Sequence, residues 1–329
     1  MKNAADVMAK FDALKMLVVG DVMLDIYDFC FTAESKAIDY ELEGKRAYKA
    51  REPIKTLGAA GNAAVNLASL GIKTKLVSVV GDDRHIFTLQ DLAKKWWINH
   101  CFLRDRSRPT TVKNRLYMDD EYLLRRDEEA THEISHELVL TVYAEILSSL
   151  DNVNAVLLSD YDKGFFTKDL AQRIIKECSE RKIPVVVGFK PPNLAYFAGA
   201  DVLCPNDDEA EIMLPGFKGA DDLQPFAKNL YKKCNCLNLV VTMGSRGLCG
   251  FDGKIFFHIP AVKVKAAGPV GCGDTARGVI AAALASGLEL YDACRLANIA
   301  GALIVKKKAT AMISRTELIE FADKSNFTY

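Results

Sequence analysis

The chain has 329 residues, half of them apolar and 26% charged, a composition that builds a sizeable core and excludes extended disorder. Its 43 basic residues balance 43 acidic ones, which excludes nucleic-acid or anionic-membrane binding driven by bulk charge and leaves room only for a local basic cleft. No stretch approaches the roughly 18 uninterrupted apolar residues of a membrane span, and the first residues (MKNAADVMAKFDALK) lack a signal-peptide core, so the sequence predicts a cytoplasmic globular protein.

The first apolar run, Met16–Val19, reads as a buried strand that ends at Gly20 and Asp21. Residues 30–57 are polar and irregular. Ala59–Leu70 (AAGNAAVNLASL) predicts a small-residue helix stopped by Gly71, and Lys75–Val80 the next strand. Residues 110–126 read as two strands around an acidic turn, Met118–Glu121. Further short strands are expected at Ala155–Leu158, Pro184–Val187, Asp201–Leu203 and Leu239–Thr242, with amphipathic helices at Lys168–Arg181 and Asp222–Lys233 between them. Asp252-Gly253 marks a hairpin, and three helical segments close the chain. Strands alternating with helices predict an α/β fold with a mostly parallel sheet covered on both faces. Length alone fits two domains or one with insertions. The reading adopted is one domain over 1–329, with a small β lid inserted at about 30–57 and 108–127.

Nine cysteines, an odd number, are scattered without a C-x-x-C, and Cys234-x-Cys236 lacks a second ligand pair for zinc. His132-Glu133-x-x-His136 is a literal H-E-x-x-H, in which two histidines on one helix face would bind zinc beside a glutamate base. Apolar periodicity begins only at Leu138, however, so Ser135 reads as an N-cap and the motif straddles a helix start. A zinc hydrolase is carried as the remote alternative.

The most informative segment is Gly268–Gly278 (GPVGCGDTARG), which opens an Ala-rich helix. Glycines at a helix start let backbone N–H groups converge on an anion. A carboxylate there, Asp274, suits a base that deprotonates a hydroxyl beside a transferring phosphoryl group. Aspartate is also an ordinary helix cap, so this segment alone leaves both readings open.

Gly271-x-Gly273-Asp274 resembles the anion hole and catalytic Asp of the PfkB (ribokinase-like) sugar kinases. Four more segments resemble that family in collinear order between about residues 15 and 320: Gly20–Asp25 (GDVMLD), Gly58–Asn66 (GAAGNAAVN), Asn206–Glu209 (NDDE) and Val241–Gly247 (VTMGSRG). Within the family, Val18–Tyr27, Leu123–Asp127 and Leu158–Gly164 are most similar to the heptose 7-phosphate kinases of lipopolysaccharide precursor synthesis. The resemblance implies a three-layer ribokinase-like fold, a homodimer paired through the lid, and phosphoryl transfer from ATP to a hydroxyl of a sugar or sugar phosphate, most simply a heptose 7-phosphate giving the 1,7-bisphosphate. It implies Asp274 as base, with N–H groups around Val270–Gly273 (Gly271, Cys272 and Gly273 among them) neutralising charge on the transferred group. Asp21, Asp25, Gly58 and Asn62 would hold the sugar, and Arg125 and Lys190 its phosphate. Asn206, Thr242, Gly244, Gly247 and Asn298 would line the nucleotide. Asn206 and Glu209 would reach Mg²⁺ through water, with a monovalent cation as an optional second ion. Neither nucleic acid nor membrane is an expected partner.

The sequence departs from the family pattern in four places. Gly268 stands where the last motif usually starts with Asp, and Gly188-Phe189-Lys190 where the heptose kinases have Asp-Pro-Lys. Arg277 replaces an apolar residue, and residues 36–55 have drifted. These departures motivate the second alternative, a kinase fold that binds ligands with impaired catalysis.

Overall fold

The computed structural model describes residues 3–38, 41, 43–119, 121–268, 271–307, 311–325 and 327–328. Its strands are β1 (Lys15–Gly20), β2 (Val22–Ala37), β3 (Arg46–Ala50), β4 (Ile54–Ala59), β5 (Lys73–Gly81), β6 (Asn99–Asp105), β7 (Val112–Met118), β8 (Glu121–Glu128), β9 (Ala155–Ser159), β10 (Val185–Gly188), β11 (Val202–Leu203), β12 (Asn238–Thr242), β13 (Leu248–Phe251) and β14 (Phe256–Ile259). Its helices are α1 (Ala4–Phe11), α2 (Ala60–Ser69), α3 (His85–Lys95), α4 (His136–Leu150), α5 (Lys168–Glu180), α6 (Asp207–Met213), α7 (Leu223–Cys234), α8 (Cys272–Ala285), α9 (Leu290–Val305) and α10 (Arg315–Lys324).

The large sheet runs β6-β5-β1-β9-β10-β11-β12-β13-β14. It is parallel from β6 to β12, and the β13–β14 hairpin closes the far edge antiparallel. Its central strands are apolar on both faces because helices cover both. Along β1, Met16 and Val18 enter one core with α1, α2, α8, α9 and α10, while Leu17 and Val19 enter the other with α4, α5 and α7. The Asp252-Gly253 turn forms as expected, Asp252 accepting from the Lys254 and Ile255 amides. Strand order reverses between β1 and β9, so the loops after these two strands diverge and open a crevice at their carboxyl ends.

The smaller sheet has the order β3-β2-β7-β8, with β4 also on β2. Its boundaries differ from the sequence expectation. β2 enters it at Val22, before residue 30, because the strand continues past Asp21 and pairs β4 from Val22↔Ala59 to Tyr27↔Ile54. Residues 30–57, expected to be irregular, hold the outer half of β2 together with β3 and β4. Their strands are masked in sequence because β3 is largely exposed and shows no apolar face. The β7–β8 pair matches the expected hairpin, although residue 120 of its turn lies outside the described residues.

Candidate active site

Helix α8 is preceded by Gly271, whose φ of 85° is a left-handed conformation that glycine adopts without strain. That turn brings Asp274 back over the sheet switch point, where it is buried. Its Oδ1 accepts from the Tyr161 hydroxyl at 2.6 Å and from Arg277 Nη1 at 3.3 Å. Its Oδ2 accepts from Asn62 Nδ2 at 3.1 Å. Three elements therefore meet on one carboxylate: the loop after β9, the start of α2, and α8 itself. Burial raises the Tyr161 phenol well above its usual range, and the Asp274 charge beside it adds to the effect, so Tyr161 stays a donor.

Two cavities meet at this turn. The smaller, about 320 Å³, is lined by Asp274, Gly271, Asn62, Asp25 and Tyr161 and by cations from both sheets. The larger, about 1210 Å³, has Cys272, Gly273 and Arg277 in its wall. Asn206, Thr242, Gly244, Gly247 and Asn298 all line this larger cavity, with the Asn298 amide donating to the Pro260 carbonyl at 2.8 Å. Val270, the first residue of the expected anion hole, lies outside the described residues.

The substrate-side expectations divide. Asp25 lies on the smaller cavity and pairs with Arg115 at 2.7 Å. Gly58 makes room for it, since a Cβ at 58 would come within 2.5 Å of the Asp25 carboxylate. Asp21 stands apart from Asp25. It does not line the cavity; its Oδ2 accepts from the Tyr161 amide at 2.7 Å and the Lys163 amide at 3.4 Å, so it orders the loop after β9. Arg125 reaches the cavity wall while bonded to Asp127. Lys190 also reaches it, but its ammonium is held by Glu209 at 2.7 Å, so the partner seen for it is a carboxylate rather than open cavity. Sequence reasoning gave no role to Tyr161, Lys113, Arg115 and Lys163, all on the cavity wall. The signal for two of them was present: Lys113 and Arg115 alternate along β7 and so share a face.

Asn206 and Glu209 form a capping box on α6, each bonding the other's backbone N–H at 2.8 Å. Glu209 is 3% exposed, one oxygen taken by that N–H and the other by Lys190. Such a carboxylate does not fit direct coordination of Mg²⁺, which needs open oxygen ligands. Among the described residues no group of three His, Cys, Asp or Glu side chains is placed to hold a metal.

The H-E-x-x-H motif does not share a helix face. His132 and Glu133 precede α4, His136 is its first residue, and Ser135 caps it by accepting from the Leu138 amide at 3.2 Å. His132 Nε2 bonds Ser107, and Glu133 accepts from Tyr196. The zinc alternative loses its premise.

Residues 14–317 match the family model described as "pfkB family carbohydrate kinase". The chain belongs to that family. By that description the family is one of carbohydrate kinases. The chain is 33% identical over 322 residues to the bifunctional protein HldE of Geobacter sulfurreducens, covering 97% of this chain and 65% of that protein. The chain thus spans less than two thirds of that relative's length. Among solved structures it is similar to Escherichia coli phosphofructokinase-2 in complex with potassium, with a TM-score of 0.74 and 15% identity over 95% of this chain and 99% of that one. It is also similar to Thermotoga maritima ribokinase, with a TM-score of 0.69 and 23% identity over 94% and 99%. These two likenesses show that the pfkB protein has the ribokinase-like fold. Among the described residues no helix is long and apolar enough to cross a membrane.

Proposed function

We propose that the protein is an ATP-dependent kinase of a sugar phosphate, with a heptose 7-phosphate as the preferred acceptor. The observation that carries the reading is the placement of the Gly271–Asp274 turn between the two cavities, with Gly271 and Asp274 lining the smaller and Cys272 and Gly273 the larger. ATP enters the larger cavity as its magnesium complex, and the sugar enters the smaller one. The acceptor hydroxyl oxygen forms a bond to the γ-phosphorus as the bond from that phosphorus to the β–γ bridging oxygen breaks. ADP leaves with that electron pair, and Asp274 takes the hydroxyl proton. The N–H groups at the start of α8 face the charge that grows on the transferred group.

An anionic acceptor is favoured by the lining of the smaller cavity, which brings five cations to its wall, each held by a carboxylate: Lys113 by Asp127 and Glu129, Arg115 by Asp25, Arg125 by Asp127, Lys163 by Glu129 and Lys190 by Glu209. A phosphate bonds readily to lysine and arginine and would take over part of these pairings, whereas a neutral sugar would not. The described smaller sheet serves as a lid over this cavity, and the reading places the protein in the cytoplasm, where ATP is the donor. Mg²⁺ bound with the nucleotide would neutralise charge on its phosphates, and Asn206 and Glu209 would reach it only through water. We propose no role for a monovalent cation.

The test is ADP release from Mg-ATP with heptose 7-phosphate, fructose 6-phosphate, fructose, ribose and adenosine, with Asp274→Asn as the blank. Turnover is expected on a sugar phosphate and should fall by about 10²–10⁴-fold in the blank. Turnover on a neutral sugar alone would refute the anionic-acceptor reading. Silence across the panel with ATP still bound would favour the catalytically impaired alternative.

A further inference from the structure

Two of the sequence's departures, far apart in the chain, touch in space. Arg277 is 6% exposed and lies in the second turn of α8, its side chain leaning back toward the helix start. There it fills space that only a glycine at 188 leaves open: a Cβ at Gly188 would lie 2.5–2.6 Å from Arg277 Cδ, Nε and Nη1. Burying a cation is costly, and the amino-terminal end of a helix is the wrong end for one. The guanidinium is nevertheless fixed. Nε donates to the Cys204 carbonyl at 3.2 Å and Nη1 to Asp274 at 3.3 Å. Burial opposes its charge, but the nearby Tyr161, Glu209 and Asp274 outweigh that and raise its basicity further.

Nη2 makes neither of these bonds, and the guanidinium's other close polar neighbour is the Tyr161 hydroxyl, which shares Asp274 Oδ1 with Nη1. It lies against Gly273, 3.5 Å from where a Cβ there would sit, and Arg277 is part of the larger cavity's wall. A buried guanidinium thus keeps its Nη2 N–H groups beside the point where the two cavities meet. We propose that Arg277 is a catalytic residue, its Nη2 donating to an oxygen of the phosphoryl group in transfer, and that residue 188 is glycine to house it. The added charge is realised most fully when negative charge spreads over the transferring group, so it lowers the barrier more than it tightens ATP.

This inference rests on the kinase reading, and its test separates the two. Arg277→Met and Arg277→Lys are compared with the native protein in ADP release, and thermal melting checks folding. A second readout is calorimetric binding of Mg-ADP with and without aluminium fluoride, a mimic of the transferring group. Arg277→Met should lose kcat by about 10²–10³-fold, with KM for ATP changed by less than about threefold, and fluoride should no longer tighten Mg-ADP binding. Native kcat in a folded Arg277→Met would overturn the proposal and leave the kinase reading standing. If the native protein turns over no sugar, the kinase reading fails and fluoride binding decides: tightening lost in Arg277→Met supports the anion contact, whereas equal tightening, or none in the native protein, overturns it. Should Arg277→Met not fold, Arg277→Lys decides by the same readouts, a kcat loss of about tenfold or more supporting the role and native kcat overturning it. Gly188→Ala should lower kcat in the native background and add little in the Arg277→Lys one; full additivity of the two losses would overturn the housing role of Gly188.

Discussion

Asp21 carries a buried carboxyl whose surroundings favour the neutral acid. Burial is the largest influence and the neighbouring Asp160 adds to it; against them, the Tyr161 and Lys163 amides favour the anion, and the balance pushes the group up to about 7. The folded protein therefore holds a proton that the unfolded chain has released between about pH 4 and pH 7. This contribution to stability is fully present below the unfolded value and is lost as pH rises through the folded one. Asp21→Asn keeps an acceptor for the Tyr161 amide and cannot ionise. Its stability relative to the native protein should improve by about 2–3 kcal/mol between pH 5 and pH 8, at about 1.4 kcal/mol per pKa unit. Urea unfolding at the two pH values measures it, and a difference independent of pH would show that Asp21 titrates normally.

At the scale of elements, the Asn206–Glu209 capping box fixes the start of α6 where this helix meets the larger cavity. Asn206→Ala removes the acceptor for the Glu209 amide and should cost about 1 kcal/mol, as cap losses do. Asn206→Ser restores a capping oxygen, so its stability should return to native while KM for ATP stays raised if the amide also touches nucleotide. Chemical denaturation paired with ATP kinetics separates the two duties; a native KM in Asn206→Ser would confine Asn206 to capping. The elements themselves were largely legible from sequence, because β1, β9, β10 and β12 are short apolar runs buried on both faces and α4, α5 and α7 carry visible caps. β6 was not legible: it is an edge strand whose residues are mostly half-buried, so its side chains neither run apolar nor alternate. The same contrast divides the site. The Gly271–Asp274 turn is written in consecutive residues, and its meaning survives without a fold. Tyr161 and the pairing of Arg277 with Gly188 depend on which segments the sheet order brings together, and no local pattern encodes that meeting.

The whole molecule places a small five-stranded sheet beside a large one, and the small sheet cannot bury itself. Tyr48, Ile54, Tyr122, Leu123 and Leu124 on it are each 41–51% exposed, a concentration of apolar surface that isolated chains seldom leave to water. β8 is also an edge of that sheet, with a row of backbone groups open to pairing. Both features are met if two copies pair through their lids, as we propose. The pairing would also bear on chemistry, because Arg125 follows directly on Leu124 and lines the smaller cavity. Replacing Leu123 and Leu124 together by Ser should convert a dimer into monomers in sedimentation while leaving the large sheet folded. It should also raise KM for the sugar phosphate more than KM for ATP, since the larger cavity, where we propose ATP binds, is built mainly from the large sheet and its helices. A native protein that sediments as a monomer at tens of micromolar would remove the pairing, and those leucines would then need a different covering partner.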